Sequence, residues 1–243
     1  MLASGCSAEK SDPTGSGIRG EITVSAAASL TEAFTALAKD FETKHPGTQL
    51  TLSFDSSSTL AAQIAEGAPA DVFAAADQAT MTKLATEDLL AGTPAVFARN
   101  QLAIITKPSN PEGINSLADL TNAGVISLCG KDAPCGTFAA QALAAGKVTI
   151  NESSVTRGQN AKATLTAVTE GDAAAGIVYA TDAQGAGTRV HVVAIPANQN
   201  VIADYPIAVL TGPNRTAARA FKAYVLSPAG AKRLKEFGFL PPA

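Results

Sequence analysis

Four short segments place hydrogen-bond donors where the chain turns into a helix. Ser29 follows the β-rich run "TVSAAA", and Ser56, Ser57 and Ser58 follow "TLSF". Pro134-Cys135-Gly136-Thr137 and Gly158-Gln159-Asn160-Ala161 stand at two further helix starts. The first turn of a helix presents unpaired N–H groups and roughly half a positive charge, so each start is an anion site in waiting. Several converging on one cleft would wrap a small dianion without any formal cation. A lone serine there is more often an N-cap, which contributes about 1 kcal/mol to stability and nothing to function. Three hydroxyls in a row where a cap needs one, and repetition in both halves of the chain, favour the anion site.

These turns need a scaffold of strands that feed helices. "EITVSAA", "TQLTLSF", "ADVFAAA" and "NQLAIITKP" read as strands, separated by the helical patterns "SLTEAFTALAKDFETK", "SSTLAAQIAEG" and "DQATMTKLATEDLL", the last capped by Asp77. The pattern then restarts with helices at "SLADLTNAG", "CGTFAAQALAAG" and "NAKATLTAVTEG" and strands at "VISLCG", "AAGIVYA" and "VHVVAIP". "ADYPIAVLTG" reads as a strand broken by Pro206, and two helices close the chain. The fold class is therefore α/β, with mainly parallel sheets flanked by helices in two lobes and a ligand cleft between them, at the carboxyl ends of the strands. The expected division is a flexible tether over 1–19, one lobe from 20–99 with 205–243, and a second lobe over 100–204.

Composition narrows the functions. The 243 residues carry a net charge of −3, no tryptophan and only three tyrosines, so platforms for sugars or bases are scarce. Without a lysine or arginine cluster, nucleic acid is not the expected partner. No metal-ligating cluster stands out. Gly15-Ser16-Gly17-Ile18-Arg19-Gly20 matches a dinucleotide fingerprint but precedes the first strand instead of following one. A serine hydrolase using Ser57 would need a general base, and His45 and His191 sit at a helix end and in a strand. The expectation is a binding protein and not an enzyme, with no cofactor.

The three cysteines are Cys6, Cys129 and Cys135. "LASGC" at residues 2–6 resembles the lipobox of bacterial lipoproteins, which makes Cys6 the expected lipidation site. Cys129 and Cys135 then remain as a pair, expected to form a disulfide in an oxidising compartment, with two buried thiols as the alternative.

The stretches "ITVSAAASLTEAF", "SFDSSSTLAAQIAEGAPADVFAAAD", "AAGIVYATDA" and "SPAGAKRLKEFGF" resemble the periplasmic molybdate-binding proteins of bacterial ABC importers. That resemblance runs from residue 20 through nearly the whole chain. It implies the two-lobed type II periplasmic binding protein fold and a monomer that delivers molybdate or tungstate to a membrane permease. It also implies the ligand set: hydroxyl and N–H donors from Ser29 and Ser57, backbone N–H groups from Cys135 and Ala161, and the phenol of Tyr179. Sulfate is the alternative ligand on the same fold. Fully ionised molybdate has only acceptor oxygens, so a donor-only cage suits it, whereas a protonated phosphate needs an acceptor.

Overall fold

The computed structural model describes residues 17–243, and Cys6 with its lipobox-like surroundings lies outside the described residues. Small and β-branched residues at both faces of the first strand set the architecture. Strand β1 (Arg19–Ala27) is buried on both sides over its second half, which requires helices above and below it. It pairs in parallel with β2 (Gly47–Asp55) and with β3 (Val72–Ala74). Helices α1 (Thr31–Lys44), α2 (Ser57–Ala65) and α3 (Gln78–Thr86) make the connections. Asp77 caps α3 by accepting from the Thr80 N–H at 3.0 Å, as its position predicts.

The second half repeats the plan. Strand β5 (Ile126–Cys129) pairs in parallel with β6 (Val155–Gly158) and β7 (Ala175–Tyr179). Helices α4 (Pro134–Ala145) and α5 (Ala161–Thr169) connect them.

Two antiparallel strands join the halves. Strand β4 (Ala95–Thr106) pairs with β9 (Ile202–Val209) over its first part, up to Gln101, and with β7 and β8 (His191–Ala194) from Leu102 onward. The order along the sheet is β2-β1-β3-β9-β4-β7-β5-β6, with β8 paired to β4. The parallel pairs are those that strand–helix alternation predicts, and the antiparallel ones come from the segments that cross between halves. The core continues across this join: Phe34, Phe97, Tyr205 and Tyr179 form a chain of tilted and edge-to-face rings, with centroids 5.6, 6.4 and 5.7 Å apart. Helices α6 (Ala180–Ala186), α7 (Arg215–Val225) and α8 (Pro228–Glu236) complete the described elements.

Two local expectations differ from the structure. Pro206 does not break β9; it sits opposite Val96, where the register of β4 shifts, so the N–H it lacks is not demanded there. Its carbonyl accepts from the Ala75 N–H at 3.0 Å. "SLADLTNAG" forms only a 3₁₀ turn over Ala118–Asn122, because Asp119 accepts from the Asn115 N–H and the Ser116 hydroxyl and holds the backbone in a local turn.

Candidate functional site

Strand register builds the site. Ala27 at the end of β1 lies opposite Asp55 at the end of β2, so Ser29 and Ser56–Ser57 emerge side by side. Cys129 at the end of β5 lies opposite Gly158 at the end of β6, so the starts of α4 and α5 emerge side by side in the other half. Tyr179 ends β7, opposite Leu102 in the crossing strand. Ser29, Ser57, Cys135, Ala161 and Tyr179 all line one cavity of about 10 Å³, far smaller than the few hundred cubic ångströms of a typical organic-ligand pocket. All five are buried.

The serines are not helix caps. No side chain caps the 3₁₀ turn at Ala28–Leu30 that carries Ser29, and none caps α2 or α4. Instead the Ser57 hydroxyl accepts from the Ala76 N–H at 2.9 Å, and the Ser29 hydroxyl pairs with the Tyr205 hydroxyl at 2.8 Å. Ser56 and Ser58 pair with each other at 2.7 Å. Because the Ala76 N–H already fills a lone pair of Ser57, the proton of Ser57 has to point elsewhere. Helix α5 alone has a side-chain cap among these starts: the Asn160 amide oxygen accepts from the Ala163 N–H at 3.0 Å, two residues beyond Ala161. No side chain thus occupies the first-turn N–H groups at three of these helix starts, and in α4 the Gly136 and Thr137 N–H groups bond the Ala133 carbonyl.

Tyr179 adds the clearest sign of a ligand. Its side chain is buried, and its hydroxyl has no hydrogen-bond partner among the described residues. Burial, first of all, together with the neighbouring Tyr205, pushes the phenol well above its ordinary pKa, so it stays protonated and can donate. A buried hydroxyl without a partner costs about 1–3 kcal/mol, which an acceptor in the cavity would recover.

Cys129 and Cys135 are joined by a disulfide that ties the end of β5 to the first turn of α4. Next to it, a β-carbon at Gly136 would run into the Gly130 carbonyl, so this wall tolerates no side chain at that position. The bridged pair is the oxidised alternative of the two that cysteine counting allows.

No lysine or arginine lines the cavity, and Asp55 is its single charged residue. The Asp55 carboxylate is engaged: one oxygen accepts from the Ser56 N–H at 2.7 Å and from the Asn160 amide at 2.8 Å. The second of these bonds spans the cleft from α5 to β2. Lys162 also spans it, donating to both oxygens of Glu32 at 2.7 and 2.8 Å and approaching Asp182 to 3.1 Å. Burial pushes the Asp182 carboxyl up to about 6 against the opposing pull of Lys162. For Lys162 burial works against the charge, but Asp182 and Glu32 prevail and its pKa is raised.

Ser57 has a backbone N–H, not a histidine or carboxylate, as its partner. His45 packs its ring against Phe41 at the end of α1, and His191 sits in β8. Among the described residues no general base is bonded to Ser57, as the hydrolase reading would need.

A family model described as "Bacterial extracellular solute-binding protein" matches residues 22–240. The chain belongs to that family. Its members are transport receptors, not enzymes. This solute-binding protein is 39% identical over 246 residues to the molybdate-binding protein ModA of Mycobacterium tuberculosis, covering 100% of this chain and 93% of that one. Among solved structures it resembles the Azotobacter vinelandii periplasmic molybdate-binding protein, with a TM-score of 0.82, 19% identity, and coverage of 91% of this chain and 100% of the other. The sulfate-binding protein SubI of Mycobacterium tuberculosis has the same fold, with a TM-score of 0.79 and 19% identity over 91% of this chain and 86% of the other. The type II periplasmic binding protein fold expected from the sequence is thus the fold of its structural neighbours.

Asn100 and Tyr205 around the site were not foreseen as part of it, and Asn160 was foreseen only as one residue of a helix start, not for its side chain. Asn160 carried a local signal, standing directly before a helical run. Asn100 and Tyr205 carried none, since their partners lie 81 to 176 residues away.

Proposed function

We propose that this chain is the extracytoplasmic receptor of an ABC importer and captures molybdate, and also tungstate, between its two lobes. The lobes are 20–99 with 205–243, and 100–204. Ser29 and Ser57 contribute hydroxyl and N–H donors, Cys135 and Ala161 backbone N–H groups, and Tyr179 its phenol. The observation that carries the reading is the unpartnered, buried hydroxyl of Tyr179, a residue that lines one cavity together with serines whose side chains cap no helix. Support for the ligand comes from the molybdate-binding relatives, since the shared fold of sulfate- and molybdate-binding proteins does not choose between anions. The five proposed ligand residues offer donors alone, which favours an anion that carries no proton, and the Asp55 carboxylate at the wall is engaged by Ser56 and Asn160. Charge-assisted hydrogen bonds of this kind are about twice as strong as neutral ones.

Capture proceeds by closure. Each lobe presents part of the cage, and the anion bonds both parts at once, which shifts the population toward the closed form. The bonds from Asn160 to Asp55 and from Lys162 to Glu32 join the same two walls. Acylation of Cys6 anchors the monomer beside the permease to which it delivers its ligand.

Isothermal titration of the chain with molybdate, tungstate, sulfate and phosphate in one buffer tests the assignment. One-to-one binding of molybdate and tungstate, with sulfate at least a hundredfold weaker, is the expected result. Sulfate binding as tightly as molybdate would overturn the ligand and keep the fold.

A further inference from the structure

The Ser29 hydroxyl pairs with the Tyr205 hydroxyl, and either oxygen is able to donate. Which one does so decides whether Ser29 shows the cavity a proton or a lone pair. The answer lies one residue further back, at Asn100, which is completely buried at the strand crossing. Its amide oxygen accepts from the Gln101 N–H at 2.9 Å, a group that is only a donor, so the orientation of the amide is fixed. The amide nitrogen therefore faces the other way and donates its two hydrogens to the Thr181 hydroxyl at 2.9 Å and to the Tyr205 hydroxyl at 3.4 Å. Tyr205 is fully buried, and besides the Asn100 amide, which can only donate to it, Ser29 Oγ at 2.8 Å is the hydrogen-bond partner of its hydroxyl among the described residues, so its one proton goes to Ser29. Ser29 is then left with its own proton, and that proton points into the cavity.

We infer that Asn100 and Tyr205 are positioning residues: a one-way relay from Asn100 through Tyr205 fixes Ser29 as a donor and so sets the site against anions that carry a proton. This rests on the oxyanion reading above. The other serine needs no such device, because the Ala76 N–H that occupies Ser57 is backbone and irreversible. The relay, in contrast, is built of side chains and can be reversed by a single substitution. Asn100→Asp replaces the donating nitrogen with an acceptor. Tyr205 would then donate to Asp, Ser29 would donate to Tyr205, and a lone pair of Ser29 would face the cavity.

The test is calorimetric titration of molybdate and inorganic phosphate at pH 8, where phosphate is chiefly a singly protonated dianion of the same charge as molybdate. Wild type, Asn100→Asp and Tyr205→Phe are compared. A new buried charge alone would weaken both dianions equally and leave their affinity ratio unchanged. Reversal of the relay is expected to narrow the molybdate-to-phosphate ratio at least tenfold in Asn100→Asp. Tyr205→Phe adds no charge and leaves Ser29 free to rotate, so it should narrow the ratio several-fold and decides the matter alone if Asn100→Asp does not fold. A wild-type ratio in Tyr205→Phe, or in a folded Asn100→Asp, overturns the relay. Failure of the wild type to bind molybdate would instead overturn the proposed function.

Discussion

Removing the Tyr179 hydroxyl should move affinity and stability in opposite directions. The phenol is buried, protonated and without a protein partner, so Tyr179→Phe takes nothing from the free chain that the fold was using. The variant's ligand-free stability is expected to be unchanged or raised by up to about 1 kcal/mol, since an orphan polar group is costly. Binding loses one hydrogen bond to a charged oxygen, about 1.5–3 kcal/mol, or roughly 10- to 150-fold in Kd. The linkage can be worked through. At a molybdate concentration of about 100 times the wild-type Kd, ligand adds about 2.7 kcal/mol to wild-type stability, whereas the variant would gain only about 1.4 to 0.3 kcal/mol. Urea unfolding with and without molybdate, beside calorimetric titration, reads all these quantities. Affinity within twofold of wild type would refute the donor role. A loss of ligand-free stability equal to the loss of binding energy would show instead that the hydroxyl belongs to the fold.

Three further outcomes are expected. Glu32→Gln weakens a half-exposed ion pair that crosses the cleft, so molybdate affinity should fall no more than about fivefold, in line with about 0.5–1 kcal/mol for such pairs, and calorimetry at low and high salt should show the effect shrinking with salt. The Asp182 carboxyl is raised to about 6 in the folded chain, so the folded state holds this proton more tightly than the unfolded one and its contribution to stability grows as pH falls. The stability of wild type relative to Asp182→Asn, from urea unfolding, should therefore increase by roughly 2–3 kcal/mol between pH 7 and pH 4, most of it below pH 6. Reduction of the Cys129–Cys135 bridge reopens a short loop worth roughly 2 kcal/mol of chain entropy, so a reductant should lower the unfolding midpoint, and Cys129→Ser with Cys135→Ser should show the same midpoint with or without it.

What was legible in the sequence is what depends on neighbours along the chain. Strand–helix alternation gave the parallel halves, and the donor-bearing turns stood out because each is local to one strand end. The 3.6-residue pattern at Ala161–Thr169 and the cap at Asp77 were equally plain. Illegible were features fixed by distant partners. Lys162 meets Glu32 from 130 residues away, and Tyr205 meets Ser29 from 176 residues away. Helix α6 is only seven residues long, too short for an apolar periodicity to declare itself. Pro206 misled because proline in a strand is judged by the hydrogen bond it withholds, and the register shift in β4 that excuses it belongs to another strand. Tyr179 read from its surroundings alone would pass for a core residue; only the missing partner in three dimensions marks its hydroxyl.

The cavity wall holds no lysine or arginine. An anion seated there would be gripped by dipoles at hydrogen-bond range, about 3 Å, well inside the roughly 8 Å over which physiological salt screens charge. Ionic strength therefore has little purchase on the grip itself. A receptor built this way keeps hold of a scarce anion in brine or in dilute water alike, where one relying on bare cations would be swamped by chloride.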